Sequence, residues 1–133
     1  MRRLAVIIAV LATFTTPAAA EAKVLVRYDV TGGLAARSEH LVIDADRQAR
    51  ETSSRGGSQH FKVSPKQQRA LKRELKAARF SSLRPVYRPD HPVNDGLAKT
   101  VRYNGHRVVV YTGADYPARL QTVIRRLGRL MRY

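Results

Sequence analysis

The stretch Leu97–Thr112, LAKTVRYNGHRVVVYT, contains the strongest local folding signal in the chain. Two runs rich in β-branched and aromatic residues flank Asn104-Gly105, a dipeptide that readily adopts the positive backbone angles of a tight hairpin turn. Side chains of the second run alternate between the faces of a strand, with Val108 and Val110 on the same side. The stretch therefore predicts an antiparallel β-hairpin.

Four more strands are predicted upstream of this hairpin, as a meander between residues 24 and 63. The first shows period-two alternation, with Val26, Tyr28 and Val30 separated by polar residues. Short turns rich in glycine or polar residues divide the segment. The predicted strands cover residues 24–30, 41–45, 49–53 and 59–63.

Two amphipathic helices complete the pattern. Ser64-Pro65-Lys66-Gln67 combines a capping serine, a proline at the first helical position and a glutamine placed for a capping box. The second helix starts near Pro117, and apolar residues recur along it at helical spacing. Residues 81–96 contain Pro85, Pro89 and Pro92 and are predicted to form an irregular crossing loop.

The order ββββ-α-ββ-α defines the expected architecture. Hairpins impose antiparallel pairing, and two one-sided helices cover only one face of such a sheet. We therefore expect an α+β fold, a two-layer sandwich with an antiparallel sheet of about six strands and two helices on one face.

Residues 1–20 carry the features of a secretory signal peptide. Arg2 and Arg3 precede an apolar run over residues 4–14, and Ala18-Ala19-Ala20 forms a small-residue cleavage site. An uncleaved membrane anchor is the alternative, although the apolar run is short for a spanning helix. The sequence predicts a signal peptide over 1–20, a single domain over 21–133, and a secreted or periplasmic location.

The composition narrows the possible functions. The chain has no cysteine, which excludes a disulfide framework and thiolate metal sites. Its formal net charge is +15, and removal of Arg2 and Arg3 leaves +13. Such a charge attracts polyanions, but 19 arginines against 6 lysines also fit GC-rich codon usage without any role in binding.

Motifs for catalysis are missing from the sequence. The four histidines fall in different predicted elements, and neither an H-E-x-x-H zinc motif nor a G-x-S-x-G nucleophile motif occurs. The glycine pair Gly32-Gly33 lacks the rest of any phosphate-binding fingerprint. We expect no catalytic residue, no metal, no cofactor and no small-molecule substrate, and hence a protein that is not an enzyme. The histidines are His40, His60, His91 and His106.

Two surfaces are candidates for binding. Residues 31–36 form a small, nearly uncharged, glycine-rich loop, which suits either close approach to a partner or a simple wide connection between strands. On the last helix, Arg125, Arg129 and Arg132 follow one another at helical spacing and form a ridge. That ridge suits polyanion binding, or is simply a solvated helix face.

Four short segments resemble the emfourin-like family of small protein inhibitors of thermolysin-type metallopeptidases. They are Thr31-Gly32-Gly33-Leu34-Ala35, Ala77-Ala78-Arg79-Phe80, Asp95-Gly96-Leu97 and Pro117 at the start of the last helix. Their order and spacing match the family over most of residues 24–131. The chain departs from the family pattern at Ala36, a usual glycine, at Leu34 and Leu97, usual phenylalanines, and at Lys99, a usual tyrosine.

The resemblance implies a function. It implies a monomeric, reversible inhibitor that inserts a loop into the substrate cleft of an extracytoplasmic metallopeptidase and is not cut. The implied contacts are Thr31, Gly32, Gly33, Leu34 and Ala35, with Asp95 orienting the backbone at the hairpin entry. The alternative is an envelope-associated module that binds a wall polymer, nucleic acid or anionic lipid through Arg125, Arg129 and Arg132. An exported structural domain with neither activity is a third possibility.

Overall fold

A computed structural model describes residues 23–132 of the protein. The predicted signal peptide lies outside the described residues. Seven strands and two helices follow one another in the order β1–β4, α1, β5–β7, α2, with a 3₁₀ turn at Phe80–Ser82 between α1 and β5. Their bounds are β1 Val24–Gly32, β2 Arg37–Asp44, β3 Gln48–Ser53, β4 Gly57–Lys62, α1 Pro65–Ala77, β5 Val86–Tyr87, β6 Leu97–Tyr103, β7 His106–Tyr111 and α2 Ala118–Leu130.

The strands form one sheet in the order β4-β3-β2-β1-β6-β7-β5. The predicted α+β class and antiparallel meander are confirmed, with β1 at the centre between β2 and β6. Strand β5, which raises the number of strands to seven instead of about six, was not predicted. It consists of Val86–Tyr87, which pairs in parallel with Val109 and Val110 of β7. The Val109 amide also donates to the Pro85 carbonyl at 2.9 Å, so part of the predicted irregular loop extends the sheet edge.

Both helices pack on the same face of the sheet. Alternate residues of β1, namely Val26, Tyr28 and Val30, are buried in one cluster with the apolar stripes of α1 and α2. The opposite face, which we call the open face, carries polar side chains such as Arg27 and Asp29. This division follows from the period-two alternation, because successive strand residues point to opposite sides. Helix residues buried in the core include Leu71, Leu75, Leu120, Val123, Ile124 and Leu127.

Local sequence signals fix the start of α1 and the β6–β7 turn. The Gln67 amide donates to Ser64 Oγ and the Ser64 amide donates to Gln67 Oε1, each at 3.1 Å, which confirms the capping box. Asn104 and Gly105 have φ angles of 48° and 78°, as a tight hairpin turn requires. These two turn residues therefore set which residues of β6 and β7 pair with each other between Leu97 and Tyr111.

The two helices are also joined by polar contacts. Arg126 of α2 donates two hydrogen bonds to the Glu74 carboxylate of α1, at 2.5 and 2.6 Å. This pairing raises the pKa of Arg126. Arg119 Nε donates to the carbonyl oxygen of Ala78 at 2.9 Å, satisfying a carbonyl at the end of α1.

Candidate functional site

The predicted partner-binding residues meet at one end of the sheet. Gly32 at the end of β1 pairs directly with both Arg37 of β2 and Leu97 of β6. The β1–β2 turn over residues 33–36 therefore lies beside the segment that enters β6, where Asp95 and Gly96 precede Leu97. These two segments are about sixty residues apart in the sequence, and the pairing of β1 with β6 brings them together.

Two glycines shape the turn. Gly32 and Gly33 have φ angles of +111° and +78°, which residues with a side chain rarely adopt. A Cβ atom on Gly32 would lie only 2.7 Å from the Gly96 carbonyl oxygen, so glycine is required for the close approach of the two backbones. The Gly33 amide donates to that same oxygen at 3.3 Å, and the Ala36 amide donates to the Gly33 carbonyl at 3.1 Å.

Leu34 stands at the outermost position of the turn. Its side chain is 89% exposed, the highest exposure of the large hydrophobic residues between 23 and 132. Its neighbours Thr31, Ala35 and Ala36 are also exposed. Single exposed leucines are common on protein surfaces, but this one is carried on a turn whose backbone is fixed from both sides. The arrangement presents an apolar side chain to solvent at one end of the sheet.

Asp95 lies beside this turn in a left-handed conformation, with φ of +62°. Its carbonyl oxygen would be 3.8 Å from a Cβ on Gly33. Within residues 23–132 the carboxylate makes no hydrogen bond and no ion pair, so it faces solvent next to the loop. The side chain that holds the entry of β6 is Thr112, whose Oγ1 accepts from the Leu97 amide at 2.8 Å. Sequence reasoning missed this role of Thr112.

A pair of ionisable residues supports the loop from the helix-covered side. Arg37, the first residue of β2, donates to both carboxylate oxygens of Glu39 at 2.5 and 2.7 Å. This hydrogen bonding raises the pKa of Arg37. Nearby, burial of Tyr28, assisted by the charges of Tyr116 and Glu39, raises the pKa of the Tyr28 phenol to about 12. The β1–β2 turn is therefore flanked by two strands whose side chains are packed on the helix-covered side of the sheet.

A small groove opens next to Asp95 and Gly96. Its volume is about 280 Å³, below the usual size of a cofactor or drug-sized ligand site. The Arg88 guanidinium carbon lies 4.4 Å from the centre of the Tyr111 ring and covers one wall. The groove can accept one side chain of a partner. It is lined by Arg88, Pro89, Pro92, Val93, Gly96, Tyr111 and Thr112.

The open face carries a hydrogen-bonded array that sequence reasoning also missed. His40 Nδ1 lies 2.6 Å from Asp29 Oδ1, and His40 Nε2 lies 2.9 Å from Ser38 Oγ. Arg102 Nη1 donates to the other Asp29 oxygen at 2.7 Å. Hydrogen bonds that link serine to histidine and histidine to aspartate also occur in the catalytic triads of hydrolytic enzymes. Here the array lies on an exposed sheet surface, with the His40 side chain 47% exposed, and it cross-links β1, β2 and β6.

The three arginines predicted to form a ridge on the last helix lie in two different environments. Arg125 and Arg129 are exposed on α2. Arg132 follows the end of the helix, and its guanidinium carbon lies 4.4 Å from the centre of the Phe61 ring. The Arg132 amide donates to the buried Glu51 carboxylate at 3.0 and 3.2 Å, which ties the end of α2 to the sheet.

Two further features of the described part of the chain concern metals and membranes. Within residues 23–132, no three histidine, aspartate or glutamate side chains are grouped closely enough to hold a metal ion. Over the same residues, the helices are too short and too polar to cross a membrane.

Comparison with known proteins adds no family assignment: no protein-family model and no curated protein sequence matches the chain. The resemblance to the emfourin-like family stays a prediction from the four motifs. The structure shows only where the residues of these motifs lie in the fold.

Proposed function

We propose that this protein is an exported, non-catalytic binding domain that inhibits a thermolysin-type metallopeptidase reversibly. The turn at residues 33–36 enters the substrate cleft, and Leu34 is the side chain buried there. The proposal rests on the motif resemblance and on the position of residues 31–35 and Asp95 at one exposed end of the sheet.

The exposure of Leu34 on a fixed turn is the observation that carries the proposal. A loop held in its binding conformation loses little conformational entropy on association, so more of the contact energy appears as affinity. The Gly33–Gly96 hydrogen bond and the close approach at Gly32 supply this rigidity. An apolar anchor inserted into a pocket is also the typical centre of a protein interface.

The same geometry supports the proposed resistance of the loop to cleavage. The β1–β2 pairing continues to Gly32 and Arg37, on either side of the turn. If a bond within the turn were cut, both new ends would stay held by the sheet and by the Gly96 contact. Religation would then be an intramolecular reaction, which favours the intact inhibitor.

The alternative function, polyanion binding, is favoured by the two exposed arginines Arg125 and Arg129 on α2. Association with a polyanion weakens steeply as salt rises, whereas a loop seated in an apolar cleft is insensitive to salt.

A capture experiment distinguishes the two functions. The chain from residue 21 is immobilised and exposed to secreted proteins at low and high salt. Recovery of a metallopeptidase at both salt concentrations supports inhibition. Recovery of many acidic components that are all lost at high salt, and lost when Arg125, Arg129 and Arg132 are changed to alanine, supports the alternative.

A further inference from the structure

Three arginines lie side by side on the open face of the sheet. Arg27 of β1 pairs directly with Arg102 of β6, and Arg102 pairs directly with Arg107 of β7. All three side chains are exposed, and all three line one groove. Side chains at directly paired positions have Cβ atoms about 4.5–5.5 Å apart.

The charge of this cluster is not balanced. Arg102 forms an ion pair with Asp29 at 2.7 Å, while Arg27 and Arg107 form none within residues 23–132. Three positive charges and one negative charge leave a local charge of +2. Like charges directly opposite one another destabilise a sheet. The cluster is therefore an unfavourable arrangement that a bound anion would relieve.

The groove has the size of a small anion site. Its volume is about 260 Å³, and the β6–β7 turn forms one end of it. The guanidinium group presents several N–H donors in a planar fork, which matches the oxygens of a phosphate group. The Asp29 contact holds Arg102 in place and leaves its other donors available. The remaining lining residues are Val24, Leu25, Tyr103, Asn104, Gly105 and His106.

We propose that Arg27, Arg102 and Arg107 form a binding site for a phosphate group. A doubly charged phosphate matches the local charge of +2, and a phosphate carried by a lipid headgroup offers the same oxygens. This site is separate from the loop at residues 31–36 and from the arginines of α2, and it does not depend on inhibition of a peptidase.

The test uses the protein recovered from expression of the full chain, at fixed ionic strength. One arm measures binding of inorganic phosphate by calorimetry, and the other measures co-sedimentation with phosphatidylglycerol vesicles against neutral phosphatidylcholine vesicles. The variant is Arg27→Gln with Arg107→Gln, and the control is Arg69→Gln with Arg73→Gln, two exposed arginines of α1. Both double variants lose the same formal charge, so they separate a local site from the overall positive field.

The expected result is binding of at least one probe, weakened about tenfold or more in the Arg27/Arg107 variant and unchanged in the α1 control. Binding of inorganic phosphate alone identifies a free phosphate as the source, and binding of the anionic vesicles alone identifies a lipid headgroup. The Arg27/Arg107 variant should also melt at the same or a higher temperature without ligand, because repulsion is removed. If that variant fails to fold, Arg107→Gln alone replaces it.

Two results would overturn the proposal. One is that neither probe binds at millimolar concentration. The other is that the α1 control loses as much affinity as the Arg27/Arg107 variant, since binding would then follow from net charge alone.

Discussion

The backbone amide of Gly33 donates a hydrogen bond to the carbonyl oxygen of Gly96 at 3.3 Å. This contact joins the β1–β2 turn to the start of β6, two segments that are far apart in sequence. It sets the turn beside Asp95 and leaves Leu34 pointing away from the protein. The proposed binding surface depends on this junction.

Alanine substitutions at three glycines should separate strain from steric conflict. Gly57 and Gly33 have nearly equal φ angles of +80° and +78°, so Gly57→Ala and Gly33→Ala should each cost about 1 kcal/mol of unfolding free energy. Gly32→Ala should cost about 2–3 kcal/mol, because its Cβ also meets the Gly96 oxygen at 2.7 Å.

Urea denaturation measures all three costs, and Gly57→Ala is the matched control because nothing lies within 4 Å of its added Cβ. Equal losses for Gly57→Ala and Gly32→Ala would contradict the close approach of the two backbones at Gly32.

Tyr28 should make the protein less stable at high pH. Burial favours the neutral phenol and raises its pKa from 10.0 to about 12 in the folded state. The corresponding stabilisation, about 2–3 kcal/mol, is complete below pH 10 and is lost as pH rises from about 10 to 12.

Ultraviolet titration of tyrosinate should show a late step that disappears in Tyr28→Phe. The same variant should also show a smaller loss of stability over that pH range. A Tyr28→Phe titration indistinguishable from that of the unmodified protein would show that Tyr28 is not the late-ionising group.

The array of Ser38, His40 and Asp29 should not act as a catalytic triad. Nucleophilic catalysis also needs a water-excluded site with donors placed for the developing oxyanion. The array instead lies on the exposed open face, and Arg102 occupies the second Asp29 oxygen. We expect p-nitrophenyl acetate to be hydrolysed at the same rate by the protein and by Ser38→Ala. A burst of p-nitrophenol that requires Ser38 would show that the protein is catalytic after all.

The parts of the fold set by neighbouring residues could be predicted from the sequence. The capping box at Ser64 and the Asn104-Gly105 turn each depend on contacts within four residues, and both are confirmed. The short strand Val86–Tyr87 could not be predicted, because two residues show no periodicity. It exists through pairing with β7.

The same limit applies to the candidate site. The predicted second strand begins at residue 41, whereas β2 begins at Arg37, so the strand positions of Ser38 and His40 were missed. Their partner Asp29 follows only from the β1–β2 register. The proximity of Asp95 to the loop requires pairing between strands β1 and β6, which are not consecutive in the chain. No local pattern encodes that pairing.

Inhibition of a thermolysin-type metallopeptidase by the chain from residue 21 is the most direct test of the proposed function. The variant Leu34→Ala removes the exposed side chain of the turn without disturbing the core. Val86→Ala is the control, since Val86 is another exposed aliphatic residue, 37% exposed, on β5 at the edge of the sheet. Mass spectrometry of the recovered inhibitor reports whether the loop was cut.

The account predicts that peptidase activity falls as the protein is added and returns on dilution, with the inhibitor recovered intact. Leu34→Ala should weaken inhibition about tenfold or more, as truncation of a central anchor does, while Val86→Ala inhibits like the unmodified protein. Full peptidase activity in the presence of excess protein, or equal inhibition by Leu34→Ala and the unmodified protein, would contradict it.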